Sequence, residues 1–190
     1  YENLIIIEDD CIPRKEFFRY MISSLKKFEK DETVGAICGY QLPNIQANNN
    51  KTMSILKLDN FIPWGWSLKA SNWNKYRKQD NKFYNKKSTL KGIKSKVIRK
   101  LLKNRKKTKN IWSLKFIIYN YLNNKKYIYP SKSQIKNIGF DGSGVNSKIT
   151  DKFTVKYYPS KKINFSKVIL DKSIIKKQEN ELFKKINYYY

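Results

Sequence analysis

Glu8-Asp9-Asp10 sets three carboxylates side by side directly after the apolar run Leu4-Ile5-Ile6-Ile7. Three such groups repel one another unless a cation, or the ligands of one, lies among them. Hard divalent ions take oxygen ligands, and Mg²⁺ is commonly held by one or two carboxylates together with substrate phosphates. The chemistry on offer is a metal–diphosphate site; the plainer alternative is a turn in which Asp9 or Asp10 caps the following helix. A second group, Trp64-Gly65-Trp66, places two indoles around a glycine. Such a pair makes either a platform for the C–H face of a sugar ring or a buried aromatic corner. A third, Asn137-Ile138-Gly139-Phe140-Asp141-Gly142-Ser143-Gly144, is a glycine-rich turn in which Asp141 and Ser143 offer polar groups near a backbone that a ligand can approach closely.

The acids need a rigid support, and the apolar run before them reads as a strand buried on both faces, as in parallel sheets. Ligands of open α/β sheets bind beyond the carboxyl ends of such strands. After Pro13, the spacing of Phe18, Met21, Ile22, Leu25 and Phe28 predicts a helix within Arg14 to Lys30, with Lys26, Lys27 and Lys30 towards its C-terminal end. Val34 to Gly39 reads as a second buried strand, so that strand, helix and strand form a βαβ unit with parallel strands and a right-handed crossover. Tyr40 to Lys51 is a polar, Asn-rich loop. Further strands are expected at Met53 to Leu58 and Tyr127 to Pro130, a short helix through Trp73 and Tyr76, and a more buried helix over Ile111 to Leu122. The segment 82–110 lacks any acidic residue and carries a stripe of Leu90, Ile93, Val97 and Leu101, extended by Ile98 and Leu102. That is a basic amphipathic helix, which either packs its stripe on the domain or lies on an anionic membrane surface. A strand at Phe153 to Tyr158 and a basic helix from about Asp171 complete the reading.

A chain of 190 residues can build one domain with an adequate core. It opens on Tyr1-Glu2-Asn3 and enters a strand at once, which raises the expectation that an N-terminal portion, carrying two or more βα units, is missing. No run approaches a membrane-spanning length. The two cysteines, Cys11 and Cys38, are too few for a disulfide framework and fit a reduced interior. The net charge of +26 is extreme. An abundance of Lys, Asn, Ile and Tyr is what an AT-rich coding sequence produces without selection for binding, yet the resulting field attracts phosphorylated substrates, acidic lipids and nucleic acid alike. No familiar nucleic-acid motif is present, and the acidic triplet repels phosphates unless a metal intervenes, so nucleic acid is the disfavoured partner.

In their order along the chain, Ile7-Glu8-Asp9-Asp10-Cys11-Ile12-Pro13 with Phe17-Phe18, Ile37-Cys38-Gly39-Tyr40, Trp64-Gly65-Trp66 with Trp73, Trp112, Tyr129-Pro130 and the 137–144 turn resemble the C-terminal part of GT-A-fold sugar-nucleotide glycosyltransferases. The nearer likeness is to bacterial family 2-like enzymes that build surface polysaccharides, the more distant one to the Golgi N-acetylglucosaminyltransferases. It covers about Leu4 to Asn146. The resemblance implies a partial GT-A fold of the α/β class, a mixed sheet flanked by helices. Residues 1–150 would be the C-terminal portion of the catalytic domain, with a basic insertion at 82–110, and 151–190 a basic tail. It further implies that Asp10 ligates Mn²⁺ or Mg²⁺, that Glu8 and Asp9 contact the nucleotide-sugar donor, and that Trp64, Gly65 and Trp66 shape the donor-sugar and acceptor pocket. The acceptor would be a glycan or a lipid-linked sugar, the transfer inverting, and the place the cytoplasmic face of a membrane. Two departures stand out. The chain has no histidine, so the family's histidine after the glycine turn is replaced by Val145-Asn146. The carboxylate that acts as base in the Golgi enzymes falls at Ser113-Leu114, which leaves Asp141 as the remaining candidate.

Overall fold

The computed structural model describes residues 1–45, 53–79, 93–103, 111–142, 149–156 and 163–189. It is an α/β protein with a mixed sheet flanked by helices. The strands are β1 (Asn3–Ile6), β2 (Cys11–Pro13), β3 (Val34–Cys38), β4 (Met53–Leu58), β5 (Trp66–Lys69), β6 (Lys126–Pro130), β7 (Ile135–Asn137) and β8 (Ile163–Ile169). The helices are α1 (Phe17–Lys27), α2 (Ala70–Gln79), α3 (Lys96–Lys103), α4 (Trp112–Leu122) and α5 (Lys172–Tyr189), with a 3₁₀ turn at Pro43–Ile45. The main sheet has the order β1-β5-β3-β6-β4-β8, and β2 pairs with β7 in a separate two-stranded ribbon.

The expected βαβ unit is present in direction but not in adjacency. β1 and β3 are both antiparallel to β5, and β5 lies between them. Trp66-Ser67-Leu68-Lys69 hides this strand from a periodicity reading, because it is only four residues long and runs straight into α2. β1 lies at a sheet edge, and Leu4, Ile5 and Ile6 are half-buried rather than covered on both faces. α1 does not bury the whole of its expected stripe. Its buried residues are Phe17, Tyr20, Met21 and Ser24, whereas Phe18 and Ile22 are 50% and 60% exposed. α1 packs against β5 and β3. Ile22 and Leu25 instead line a groove of about 680 Å³ with Ile5 beside the open edge of β1.

β6 runs parallel to β3, so the C-terminal ends of β1, β3 and β6 share one end of the sheet. An aromatic cluster runs from the interior to the surface: Phe61, Trp66, Tyr76 and Phe116 are buried, Trp73 is half-buried and Trp112 exposed, and they meet in stacked, tilted and edge-on pairs, a geometry that adds about 0.5–1.5 kcal/mol per pair beyond area burial. The stripe expected on the basic segment is realised in α3, where Val97, Ile98, Leu101 and Leu102 are buried against α4 and α5, with Ile93 buried just before the helix. In the described part of 82–110 the apolar face packs on the domain; residues 82–92 and 104–110 lie outside the described residues. Phe153 to Lys156 form no strand, and Phe153 and Val155 are core side chains. The segment set apart as a basic tail supplies β8, which pairs with β4, and α5, which packs on α3. Among the described residues no helix is long and apolar enough to cross a membrane.

Candidate functional site

The acids leave β1 on a tight turn. The Cys11 N–H donates to the Glu8 carbonyl at 3.0 Å, which closes Glu8-Asp9-Asp10-Cys11 as a β-turn and starts β2. β2 pairs antiparallel with β7 in the register Cys11↔Asn137, Ile12↔Lys136 and Pro13↔Ile135. This ribbon carries Asp10 to the glycine turn: the Ile138 N–H donates to the Asp10 carbonyl at 2.8 Å. Side chains repeat the contact. Asn137 Nδ2 donates to Asp10 Oδ2 at 3.0 Å, and the Gly139 N–H donates to Asn137 Oδ1 at 2.8 Å. The first and third of the sequence motifs thus meet at the carboxyl end of β1, although they are 127 residues apart.

A knot of small and apolar groups holds the ribbon against the sheet. The Gly39 N–H donates to the Gly65 carbonyl at 2.7 Å, and the Gln134 N–H donates to the Gly39 carbonyl at 2.8 Å. Gly65 sits at φ +60°, and a Cβ there would lie 2.5 Å from Ile135 Cγ1. Only a residue without a side chain meets both conditions.

The tryptophans are not a platform. Trp64 and Trp66 are 5% and 2% exposed, so the aromatic-corner alternative is what the fold adopts. Each indole has more to gain from ring contacts in the core than from water. Trp64 meets Tyr40, Phe140 and Phe153 edge-on; it backs the turn that carries Asp141. Trp66 belongs to the cluster on the other side, stacked on Trp112 with centroids 5.4 Å apart, and its Nε1 is buried without an acceptor. Asp141 is exposed on the turn beside Gly142, and Ser143 and Gly144 lie outside the described residues, as do Val145 and Asn146.

The electrostatics of the acids agree with a shared patch. Glu8 is raised from 4.5 to about 7, first by burial and then by the Asp10 and Asp9 charges. The Cys11 thiol is raised by burial and by Asp10, whose Oδ1 it approaches at 3.4 Å. Cys38, fully enclosed, is pushed up to about 12 by burial; both cysteines are free. Among the described residues no lysine or arginine forms an ion pair with Glu8, Asp9 or Asp10. In a chain of net charge +26 that is an unusual economy of cations. Among the described residues no group of three or more His, Cys, Asp or Glu side chains could hold a metal ion by itself. An all-protein cage is not what these acids offer; a cation here would need to take one or two carboxylates and draw its other ligands from elsewhere, as Mg²⁺ does from substrate phosphates.

The raised Glu8 has a consequence for stability. Between about pH 4.5 and about pH 7 the folded chain holds a proton on Glu8 that the unfolded chain has lost. Stability therefore falls as the pH rises through that window. Water reaches this half-buried group, so the expected loss is only about 1–2 kcal/mol. Without histidine, no other side chain ordinarily titrates there. Urea unfolding should give a lower midpoint at about pH 7.5 than at about pH 5, and Glu8→Gln should flatten the difference.

Asn137 and Gly139 were within the motif that the sequence singled out but had no role assigned. The signal was available: an Asn two residues before a glycine forms an Asx turn by accepting from that glycine's N–H. A comparison with protein-family models and with curated proteins gave no match.

Proposed function

We propose that this chain is the acceptor-side part of a metal-assisted, GT-A-type glycosyltransferase of the family 2-like kind. It would move a sugar from a nucleotide-sugar donor to a glycan or lipid-linked acceptor in surface polysaccharide synthesis. The observation that carries the reading is the meeting of Asp10 with the Asn137–Gly142 turn at the carboxyl end of β1, where the carboxylates Glu8, Asp9 and Asp10 have no cationic partner among the described residues. Asp10 would hold Mn²⁺ or Mg²⁺, with Glu8 and Asp9 beside the donor. When bound, the ion supplies charge neutralisation for the departing nucleoside diphosphate. In an inverting transfer the acceptor oxygen attacks the anomeric carbon as its bond to the diphosphate breaks. Asp141, exposed on the same turn, is the carboxylate assigned to take the acceptor's proton. Trp64 shapes the pocket from behind, by supporting Phe140.

The nucleotide's base and ribose need more wall than this turn and ribbon offer. Among the described residues no strand pairs with the outer edge of β1, and Ile5 and Ile22 line a groove beside it, which supports a further strand on that edge as part of the complete binding unit. We place the reaction at the cytoplasmic face of a membrane, where a lipid-linked acceptor is met by a cationic protein. The test is a screen of labelled nucleotide sugars against lipid-linked acceptors, with Mn²⁺ and with a chelator. The reading expects transfer from one donor that the chelator stops. Transfer indifferent to the chelator, or phosphate release without a sugar acceptor, would count against it.

A further inference from the structure

The carboxamide of Asn137 is 7% exposed, and both of its ends are committed. Nδ2 donates across the ribbon to Asp10 Oδ2, and Oδ1 accepts from the Gly139 N–H. Gly139 in turn lies so close to this carboxylate that a Cβ there would be 2.5 Å from Oδ2. One carboxylate oxygen is thus walled in by an amide and by backbone. The other, Oδ1, accepts among the described residues from the Cys11 thiol alone, at 3.4 Å, a weak donor that a cation readily replaces. A metal ligand is commonly oriented by such an outer hydrogen bond, which fixes the oxygen that stays free.

We infer that Asn137 is the positioning residue for a divalent cation at Asp10: it holds Oδ2, leaves Oδ1 for the ion, and ties the glycine turn to the ion's presence. The inference rests on the metal reading of Asp10. It adds a coupling, since the residue that orients the carboxylate is also the one that closes the turn bearing Asp141. Ion binding and the arrangement of the acceptor side are then one event, linked through a single carboxamide. A carboxamide that only stabilised its own turn would need the Gly139 bond and not the bond to Asp10.

The test uses Mn²⁺ with saturating inorganic diphosphate, which supplies the site's other donors, and the ¹⁵N-labelled full chain. Paramagnetic broadening should reach the Asp10 and Gly139 amides first. Asn137→Ala should raise the Mn²⁺ concentration for half-broadening by about tenfold to a hundredfold. In the unaltered protein, diamagnetic Mg²⁺ should shift the Asn137 carboxamide signals in step with the Gly139 amide, a readout that needs no variant to fold. A folded Asn137→Ala protein that binds Mn²⁺ as the parent does, or Mg²⁺ shifts at Gly139 that leave the Asn137 carboxamide unmoved, would overturn the inference. If Asp10→Asn abolishes the broadening in the same series, such a result removes only the role of Asn137. If Asp10→Asn leaves the broadening intact, the metal reading falls and the inference with it.

Discussion

Asp10→Asn is expected to weaken Mn²⁺-dependent binding of a nucleoside diphosphate sugar by at least about a hundredfold, or about 2.7 kcal/mol, with little change in folding stability. The substitution keeps the volume of the side chain. Its remaining carbonyl oxygen can still accept from Asn137 Nδ2, so the ribbon and the turn stay joined. What is lost is the negative charge and one of the two oxygens. For a site whose other donors must come from phosphate, that is the loss of its principal protein ligand. The sign separates this account from indiscriminate anion binding. Removing an acid from a protein of net charge +26 makes it more cationic, so a chain that held phosphates by its lysines alone would bind the same ligand as well or better. Calorimetric titration with and without Mn²⁺, beside a urea melt of both proteins, reads the two quantities independently.

Gly65→Ala is expected to give the largest loss of stability, about 2–5 kcal/mol. A backbone at φ +60° costs an alanine about 1–2 kcal/mol relative to glycine. Its Cβ would then fall 2.5 and 2.6 Å from Ile135 Cγ1 and Cδ1 and 3.1 Å from Phe17 Cε2. Ile135 and Phe17 are both fully buried, so neither can swing into water, and overpacking of that kind adds about 1–3 kcal/mol. For a chain of this length the melting temperature should fall by roughly 5–15 °C. Ile135→Val removes one of the two clashing atoms and should recover part of the loss, a coupling that a double-mutant cycle measures. Because Ile135 lies in β7, two residues before Asn137, the relaxed Gly65→Ala protein should also bind Mn²⁺ more weakly than its residual stability alone would require.

Long apolar elements were legible in the sequence. β3, β4 and β6 and the helices α1, α4 and α5 stand where periodicity and apolar runs put them, to within a few residues. The turn of acids at the end of β1 was legible as well, because charge next to an apolar run is a local signal. Three things were not. β5 is a four-residue strand that joins a helix without a break, and its insertion between β1 and β3 is a long-range pairing with no local mark. With β5 in that place α1 packs on β5 and β3, and Phe18 and Ile22, which share a helical stripe with Met21, end at the surface. The ribbon of β2 and β7 has three residues in each strand, below any usable alternation. Finally, Trp64 and Trp66 look alike in sequence, yet one backs the candidate site and the other fills the core of the aromatic cluster. Which way an indole points depends on partners, such as Phe153 and Trp112, far along the chain.

The proposed cation at Asp10 is what the functional reading turns on, and anomalous diffraction from crystals grown with Mn²⁺ and a nucleoside diphosphate tests it most directly. The predicted result is a single strong peak at direct coordination distance, about 2.1 Å, from a carboxylate oxygen of Asp10, with phosphate oxygens completing the shell and Asn137 still bonded to the other oxygen. A peak elsewhere on the molecule, with Asp10 turned from the diphosphate or paired with a lysine, would contradict it.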